Sequence, residues 1–295
     1  MTEKNITGFQ QEYIDDLKQI INTDKYPLTA QDSKKYTEVI TELRKQLAKD
    51  GCAHVADFIR EDVEEQLQRE SEELAPQAHY HENQITPYAN ADDESLPEDH
   101  PKRFFQAFTN GFVAKDQISE DKVIQRLYGN PIFQKFIADC LEEEKIYEYA
   151  DPIAGLVINV MPESTTLPWH FDTNEFIVSL MTKRPDKGGD FEYAPGIREV
   201  GNENFDEVKR VLQGDRDLVK TLTLNTGDLQ IFKGRFSMHR VAPAQGQRLC
   251  AIFGYSKEPG MIGRVQRTKD VYGRVTQAHI DAEKNQQQRS DGLVD

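Results

Sequence analysis

The chain of 295 residues has only three cysteines, one tryptophan and no long apolar run. Cys52, Cys140 and Cys250 are too few and too widely spaced for a disulfide framework, so we expect reduced thiols. No segment approaches the roughly 20 apolar residues that a membrane-spanning helix needs. The first residues lack the apolar core of a secretion signal. These features predict a cytoplasmic protein that does not bind membranes.

Positive charge is also scarce. Lysine and arginine together number 36 against 51 aspartate and glutamate residues, which gives a formal net charge of −15. A nucleic-acid surface needs a basic stripe, and an anionic membrane attracts basic patches. We therefore expect neither partner. The charge is compatible with a cationic small molecule, and no pattern indicates the oligomeric state.

The chain changes character near its middle. Helical periodicity prevails before residue 150, and strand-like segments prevail from Ala154. The predicted helices are 8–24, 30–49, 61–74, 118–141 with a break at 129–131, and 203–213. The predicted strands are 52–58, 154–161, 174–182, 189–193, 219–224, 228–233, 236–242 and 248–255.

These segments predict one domain, because an all-β barrel with helical additions commonly uses this length as one unit. We expect a single domain over 1–285 and a flexible tail over 286–295. Within the domain, the parts are a helical N-terminal layer with a substrate loop (1–150), a barrel core (151–260) and a C-terminal extension (261–285).

The segment 76–102 is polar, contains four prolines and carries the acidic stretch Asp92-Asp93-Glu94. A loop of this length is unusual unless it is functional or disordered. It fits either a lid over a substrate or a plain surface excursion.

The most informative motif is His170-Phe171-Asp172, followed by His239 at a distance of 67 residues from Asp172. Two imidazoles and one carboxylate form the facial triad of non-haem Fe(II) oxygenases. In a strand, residues i and i+2 point to the same face, so His170 and Asp172 can reach one metal. His239 must come from another strand. Zinc in a hydrolase accepts the same ligand types.

The residues after His239 indicate a strand, a turn containing Gly246, and a second strand. Arg248, Cys250 and Ile252 share one face of the second strand by their spacing. An arginine there suits the far carboxylate of a dicarboxylic acid, which it can hold through two parallel hydrogen bonds. A zinc hydrolase would not need this arginine. The alternative role for Arg248 is a buried salt bridge.

His170-x-Asp172, His239 and Arg248 nine positions further resemble the pattern of the Fe(II)- and 2-oxoglutarate-dependent oxygenase superfamily, over roughly 154–255. The resemblance implies a mainly β fold with helical additions, whose core is a double-stranded β-helix of the jelly-roll, cupin-like type. It also implies that His170, Asp172 and His239 bind Fe(II), that Arg248 binds the 5-carboxylate of 2-oxoglutarate, and that O2 is the second cosubstrate.

Three segments resemble a narrower group, the free-amino-acid halogenases and hydroxylases. They are Leu96–Arg103, Trp169–Asp172, and Gly234–Val241 with its Gly-Arg-x-Ser-x-His-Arg-Val pattern. In that group, halogenating members lack the metal-binding carboxylate because chloride occupies its place. This sequence keeps Asp172, so the resemblance points to hydroxylation or a related oxidation.

Four further residues are substrate-binding candidates. The narrower resemblance makes Arg103 a clamp for a substrate carboxylate, and the alternative is a solvated arginine. Thr173 and Asn174 follow the metal pair near the mouth of the barrel. Trp169 fits either a wall of the pocket or a buried core aromatic.

We therefore expect a dioxygenase that hydroxylates an unactivated C–H bond of a small molecule and releases succinate and CO2. A free amino acid or a derivative is the preferred substrate. The alternatives are a hydroxylase of peptide or protein side chains and a non-catalytic, metal-binding jelly-roll module.

Overall fold

The structure is a computed structural model that describes residues 3–284, 291, 293 and 294, so most of the predicted flexible tail lies outside the described residues. The helices are α1 (Glu3–Ile20), α2 (Lys34–Asp50), α3 (Glu61–Leu74), α4 (Val123–Tyr128), α5 (Pro131–Leu141), α6 (Phe205–Leu212), α7 (Val265–Tyr272) and α8 (Gln277–Glu283). Within the described part, no helix is both long and apolar enough to cross a membrane.

The strands, in chain order, are β1 (Cys52–Val55), β2 (His79–Tyr80), β3 (Asn83–Ile85), β4 (Gln106–Phe108), β5 (Gly111–Val113), β6 (Tyr147–Glu148), β7 (Leu156–Met161), β8 (Leu167–His170), β9 (Ile177–Lys183), β10 (Lys187–Gly188), β11 (Phe191–Ala194), β12 (Lys220–Leu222), β13 (Leu229–Phe232), β14 (Met238–Val241), β15 (Ala244–Gln245), β16 (Arg248–Phe253) and β17 (Tyr255–Ser256).

Local capping signals set several helix boundaries. The Ser33 side chain accepts a hydrogen bond from the Tyr36 amide at the start of α2, and Gly51 ends that helix with a φ of 65°. Asn130 accepts hydrogen bonds from two amides at the start of α5. The predicted break between α4 and α5 is therefore confirmed, whereas α1 ends at Ile20, before the predicted residue 24.

Two antiparallel sheets face each other. The major sheet has the order β1-β13-β9-β16-β7-β5-β2, and the minor sheet has the order β12-β11-β14-β8. Helices α1–α5 cover one face of the major sheet, where alternate strand residues such as Leu156, Leu180 and Phe253 join a continuous apolar core. The other face and the minor sheet enclose a second apolar cluster that includes Met161, Phe191 and Val241. This arrangement confirms the jelly-roll core with helical additions.

The strand, turn and second strand predicted after His239 are present, but the two strands do not pair with each other. β14 pairs with β8 and β11 in the minor sheet, whereas β16 pairs with β7 and β9 in the major sheet. The intervening β15 pairs with β10. The turn at Gly246 therefore carries the chain from one sheet to the other, so His239 and Arg248 approach the interior from opposite walls.

The polar segment 76–102 contains two short strands near its start. β2 extends the major sheet by pairing with β5, and β3 pairs with β4 beyond the segment. The 261–285 extension forms α7 and α8, which the sequence did not predict. The His279 ring lies 3.1 Å from the Asp151 carboxylate, and both side chains are buried. This contact fixes the C-terminal helices beside the start of β7.

Candidate metal centre

The strand β8 supplies His170 as its last residue, opposite His239 of β14. Asp172 lies beyond the end of the strand, so its expected position on the same strand face is wrong. The chain leaves the sheet because the Phe171 amide donates to the Pro87 carbonyl oxygen at 2.9 Å and the Asp172 amide to that of Gly234 at 3.2 Å. The turn therefore brings the carboxylate back towards both imidazoles.

The three side chains form one compact group of possible metal ligands, with one atom of each lying within 4.8 Å of the others. His170 Nε2 lies 3.7 Å from Asp172 Oδ1, and His239 Nε2 lies 3.5 Å from Asp172 Oδ2. Ligand atoms about 2.1 Å from one ion lie roughly 3.0 to 3.6 Å apart at bond angles between 90° and 120°. The separations therefore suit a single metal ion.

Backbone carbonyl groups orient both imidazoles. His170 Nδ1 lies 2.8 Å from the Pro168 carbonyl oxygen, and His239 Nδ1 lies 3.0 Å from that of Ser237. A carbonyl oxygen only accepts, so each Nδ1 carries the proton and each Nε2 presents a lone pair towards Asp172. Such contacts are the usual support of a metal-binding histidine.

A space for the Asp172 carboxylate exists because residue 234 is glycine. A Cβ added to Gly234 would overlap Asp172 Oδ2 and lie 2.6 Å from Cγ. The Oδ2 atom is buried and has no hydrogen-bond partner among the described residues. An uncompensated buried carboxylate oxygen is costly, and a bound cation would satisfy it. The residues therefore fit a divalent metal.

Burial sets the charge state of the group. It lowers the pKa of His170 to about 4, and the neighbouring His239 adds to this effect. Burial opposes ionisation of Asp172, but the two histidines hold its pKa below the usual value. At neutral pH, His170 is therefore neutral and Asp172 is a carboxylate, which are the forms that bind a metal.

Arg248 lies on the interior face of β16, opposite Met161 of β7. Its side chain is buried, and its Nε has no hydrogen-bond partner among the described residues. No carboxylate lies within ion-pair distance of it in the described part of the chain. The structure therefore does not support the alternative of a buried salt bridge, and it leaves a cation exposed to the barrel interior.

Polar side chains continue from Arg248 across the interior of the major sheet. Asn159 lies opposite Cys250 and donates to the Asn110 side chain at 3.4 Å. Ser179 donates to the Gln230 side chain at 3.1 Å. Such a polar row inside an otherwise apolar barrel can accommodate a small polar molecule such as 2-oxoglutarate.

Trp169 lies on the other face of β8 from His170. Its ring is buried, with the guanidinium of Arg240 4.9 Å and that of Arg216 5.7 Å from its centroid. Arg240 also donates to Glu192 at 2.5 Å, as expected for an outward-facing ion pair. The structure therefore gives Trp169 a packing position and does not bring it to the metal-ligand group.

The other three substrate candidates have partners in the protein. Arg103 donates through Nε to Asp92 at 2.8 Å and through Nη1 to the Leu96 carbonyl oxygen at 3.0 Å. Asn174 donates to two backbone carbonyl oxygens. The Thr173 hydroxyl accepts from Arg267, which the sequence did not single out. Of the three, Thr173 is next to Asp172 and lies at the mouth of the site.

The polar segment packs against the outside of β8. Tyr88 and Phe171 have ring centroids 5.2 Å apart. Just beyond the segment, Gln106 exchanges two hydrogen bonds with the backbone of Trp169, at 2.9 and 3.1 Å. These contacts place the segment beside the metal-binding turn and support that turn.

Two fully buried arginines support the same turn from behind. Arg235 donates to the Thr173 carbonyl oxygen at 3.0 Å and binds the Asp291 carboxylate through two nitrogens, at 2.5 and 2.8 Å. Arg198 donates to the Arg235 carbonyl oxygen at 2.6 Å, and its guanidinium lies 3.9 Å from the Phe171 ring. Asp291, near the C-terminus, thus holds the arginine that contacts Thr173, the residue after Asp172.

The fold and the site together define a 2-oxoglutarate-dependent non-haem iron oxygenase, an enzyme that uses Fe(II), 2-oxoglutarate and O2. The family model described as Halogenase D matches residues 35–269, and the chain belongs to this family. A comparison with curated proteins gives no match.

Several solved structures are similar in fold. A 2OG-Fe(II) oxygenase-family oxidoreductase from Burkholderia pseudomallei has a TM-score of 0.50 at 14% identity, over 75% of this chain and 92% of that chain. A Trichoplax adhaerens prolyl hydroxylase, in complex with a hypoxia inducible factor peptide fragment, has a TM-score of 0.51 at 13% identity, over 77% and 96%. The epimerase SnoN from nogalamycin biosynthesis has a TM-score of 0.50 at 13% identity, over 75% and 81%. These similarities establish the fold.

Proposed function

We propose that the enzyme hydroxylates an unactivated C–H bond of a free amino acid or a derivative. The overall reaction consumes the substrate, O2 and 2-oxoglutarate and gives the alcohol, succinate and CO2. One oxygen atom of O2 enters the alcohol and the other enters succinate. The observation that carries the proposal is the Asp172 carboxylate, which lies within ligand range of both histidines.

In this proposal His170, Asp172 and His239 hold Fe(II) on one side, and Arg248 binds the far carboxylate of 2-oxoglutarate. The iron, when bound, supplies activation of O2 with the electrons that 2-oxoglutarate provides. The protein fixes the ligand geometry through the two backbone carbonyl contacts of the histidines. It also surrounds the site with buried aromatic residues, including Phe191 and Phe232, which exclude water.

Asp172 favours hydroxylation over halogenation, despite the name of the family. A halide needs the coordination position that a carboxylate would otherwise take. In this chain the carboxylate is present, points at both Nε2 atoms and is accommodated by the missing side chain at Gly234. The Asp172 carboxylate would therefore occupy the coordination position that chloride needs on a bound metal.

A small substrate suits the enclosed surroundings of the site. The metal-ligand group lies between two sheets, and α7 contacts the metal-binding turn through Arg267 and Thr173. The resemblance to the amino-acid-oxidising group supports a free amino acid, and the net charge of −15 favours a basic side chain.

The test is anaerobic loading with Fe(II) and 2-oxoglutarate, followed by air and each of the standard L-amino acids in turn. Succinate and the mass of the amino acid are measured together. We expect amino-acid-dependent succinate and an amino acid that has gained one oxygen atom, and Asp172→Ala should abolish both. Succinate without any modified amino acid would contradict the substrate class and direct the search to peptides. A product containing chlorine would contradict the reaction.

A further inference from the structure

Arg267 lies at the mouth of the metal centre, although neither the motif nor the resemblance singles it out. It belongs to α7, and its Nη1 donates a hydrogen bond to the Thr173 hydroxyl. Thr173 is the residue next to Asp172, so this bond brings the guanidinium to the metal-binding turn. The residue is solvent-exposed, as a contact to an incoming molecule requires.

Other arginines in this region already have a carboxylate partner. Arg103 binds Asp92, and Arg274, two residues beyond the end of α7, binds Asp116. Arg267 has no carboxylate within ion-pair distance among the described residues, and the Thr173 hydroxyl is a neutral acceptor. Its guanidinium therefore keeps most of its donors for an anion that comes from outside.

Aromatic rings lie on the helix that carries this cation and on the neighbouring strands. Tyr272, on the same helix, has its ring 6.1 Å from that of Phe112, and Phe112 stacks on Phe108 at 6.3 Å. Phe112 lies opposite Asn159 and so faces the barrel interior. Burial raises the pKa of Tyr272, and Arg267 opposes this rise, which is consistent with their proximity. Aromatic rings together with a few polar groups commonly line the binding site of a small organic molecule.

When Fe(II) and 2-oxoglutarate are bound, the positive charge of Arg267 is not balanced by the other charges of the site. Fe(II), the Asp172 carboxylate, a 2-oxoglutarate dianion and the Arg248 guanidinium together carry no net charge. Arg267 then adds one positive charge at the mouth. A neutral or anionic incoming group is therefore preferred over a cation at this point.

We propose that Arg267 binds the carboxylate of the substrate, with the Thr173 hydroxyl orienting its guanidinium. This inference rests on the proposed function and deepens it. It assigns the carboxylate end of a free amino acid to α7 and leaves the side chain to extend towards the metal. Arg103, paired with Asp92, supports the polar segment instead.

The test is calorimetric titration of the anaerobic enzyme, loaded with Fe(II) and 2-oxoglutarate, with each standard L-amino acid. For each amino acid that binds, the corresponding amine without the carboxylate is titrated as well. The variants are Arg267→Gln, Arg267→Lys and the matched control Lys269→Gln, which removes the same charge from an exposed position on the same helix. Fe(II) and 2-oxoglutarate affinities are measured for every variant.

We expect Arg267→Gln to weaken amino acid binding on the order of 10- to 100-fold, because a charge-assisted pair is lost. The amine that lacks the carboxylate should bind the wild type about as weakly as the amino acid binds Arg267→Gln. Arg267→Lys should bind with intermediate affinity, and Lys269→Gln should match the wild type. Affinity for Fe(II) and 2-oxoglutarate should stay unchanged in all variants.

Wild-type affinity in Arg267→Gln would overturn the inference, and so would equal binding of the amine. A parallel loss of Fe(II) or 2-oxoglutarate affinity would show that Arg267 supports the metal-binding turn instead. A wild type that binds none of the amino acids would also overturn it. The proposed reaction would then be judged separately, by 2-oxoglutarate-dependent succinate formation with other substrates.

Discussion

Gly234→Ala is the substitution that most sharply tests the geometry of the metal centre. The φ angle of Gly234 is not in the left-handed region, so alanine causes no backbone strain there. Its Cβ would lie 2.6 Å from Asp172 Cγ and would overlap Oδ2. Carbon atoms in ordinary contact are about 3.5 Å or more apart, so the carboxylate must retreat by about 1 Å.

A displacement of this size is large compared with the tolerance of a metal site, where ligand distances are held to roughly ±0.2 Å. Disturbing even a supporting contact of a ligand typically costs about 10- to 100-fold in metal affinity. We therefore expect Gly234→Ala to weaken Fe(II) binding by about 100-fold and to reduce turnover at least as much. Folding should be retained, because the Gly234 carbonyl still accepts from the Asp172 amide.

The assay is anaerobic Fe(II) titration of the apo-protein, with thermal unfolding as the check on folding. Gly129→Ala is the matched control, since an added Cβ there meets only the Gln125 carbonyl oxygen at 3.8 Å. If Gly234 acts through Asp172, the double variant Gly234→Ala/Asp172→Ala should bind Fe(II) like Asp172→Ala alone. Wild-type metal affinity in Gly234→Ala, or fully additive losses in the double variant, would refute the reasoning.

Three further predictions concern charge. Arg248→Met should weaken 2-oxoglutarate binding on the order of 100-fold in titrations. The variant apo-protein should be no less stable than the wild type, because the removed cation has no carboxylate partner. A large loss of stability would indicate a structural ion pair. The pKa of His170 is lowered from 6.5 to about 4 in the folded protein. As the pH falls, His170 therefore takes up a proton in the unfolded chain before it does so in the folded protein. The apo-protein should lose about 3 kcal/mol of unfolding free energy between pH 6.5 and 4. His170→Gln should lack this part of the acid sensitivity in denaturant titrations, and an unchanged pH dependence would count against it. Asp291→Ala should destabilise the protein by about 3 kcal/mol, because it leaves the buried Arg235 without this carboxylate. The control is Asp270→Asn, at a partly buried position where the carboxylate accepts a hydrogen bond from Gln266. Equal stability of the two variants would contradict the expectation.

Elements with local signals could be predicted from the sequence. α3 spans Glu61–Leu74 as predicted, and the α4–α5 break falls where Asn130-Pro131 can cap a new helix. These signals act over a few residues, so no knowledge of the rest of the chain is needed. The pairing of β14 with β11 and β8 depends on distant residues. The local pattern around Gly246 therefore indicates two strands joined by a turn, but it does not show that the two strands belong to different sheets.

In the site too, some features could be predicted from the sequence, and others depend on contacts between distant residues. The spacing of His170, Asp172 and His239 was sufficient to expect them together, and the structure brings their ligand atoms within 4.8 Å. The means of doing so was not predictable, because Asp172 lies in a turn and depends on the space left by Gly234. Gly234 belongs to the Gly-Arg-x-Ser-x-His-Arg-Val pattern, but its role becomes visible only when it contacts Asp172.

Arg267 and Asp291 had no signal at all in the sequence. Each lies in a polar C-terminal stretch whose composition indicates only exposed residues. Their contacts, Arg267 with Thr173 and Asp291 with Arg235, join positions 94 and 56 residues apart along the chain. Such contacts follow from the packing of α7 and the C-terminal residues against the barrel, which no local pattern encodes.

The most direct test of the central account is mass analysis of the product formed under isotopically labelled O2, in a buffer containing chloride. We expect the modified amino acid to carry one labelled oxygen atom in a new C–O bond, with one equivalent of singly labelled succinate and no chlorine. A chlorinated product, or an oxygen atom derived only from water with no labelled succinate, would contradict an Asp172-bearing iron hydroxylase.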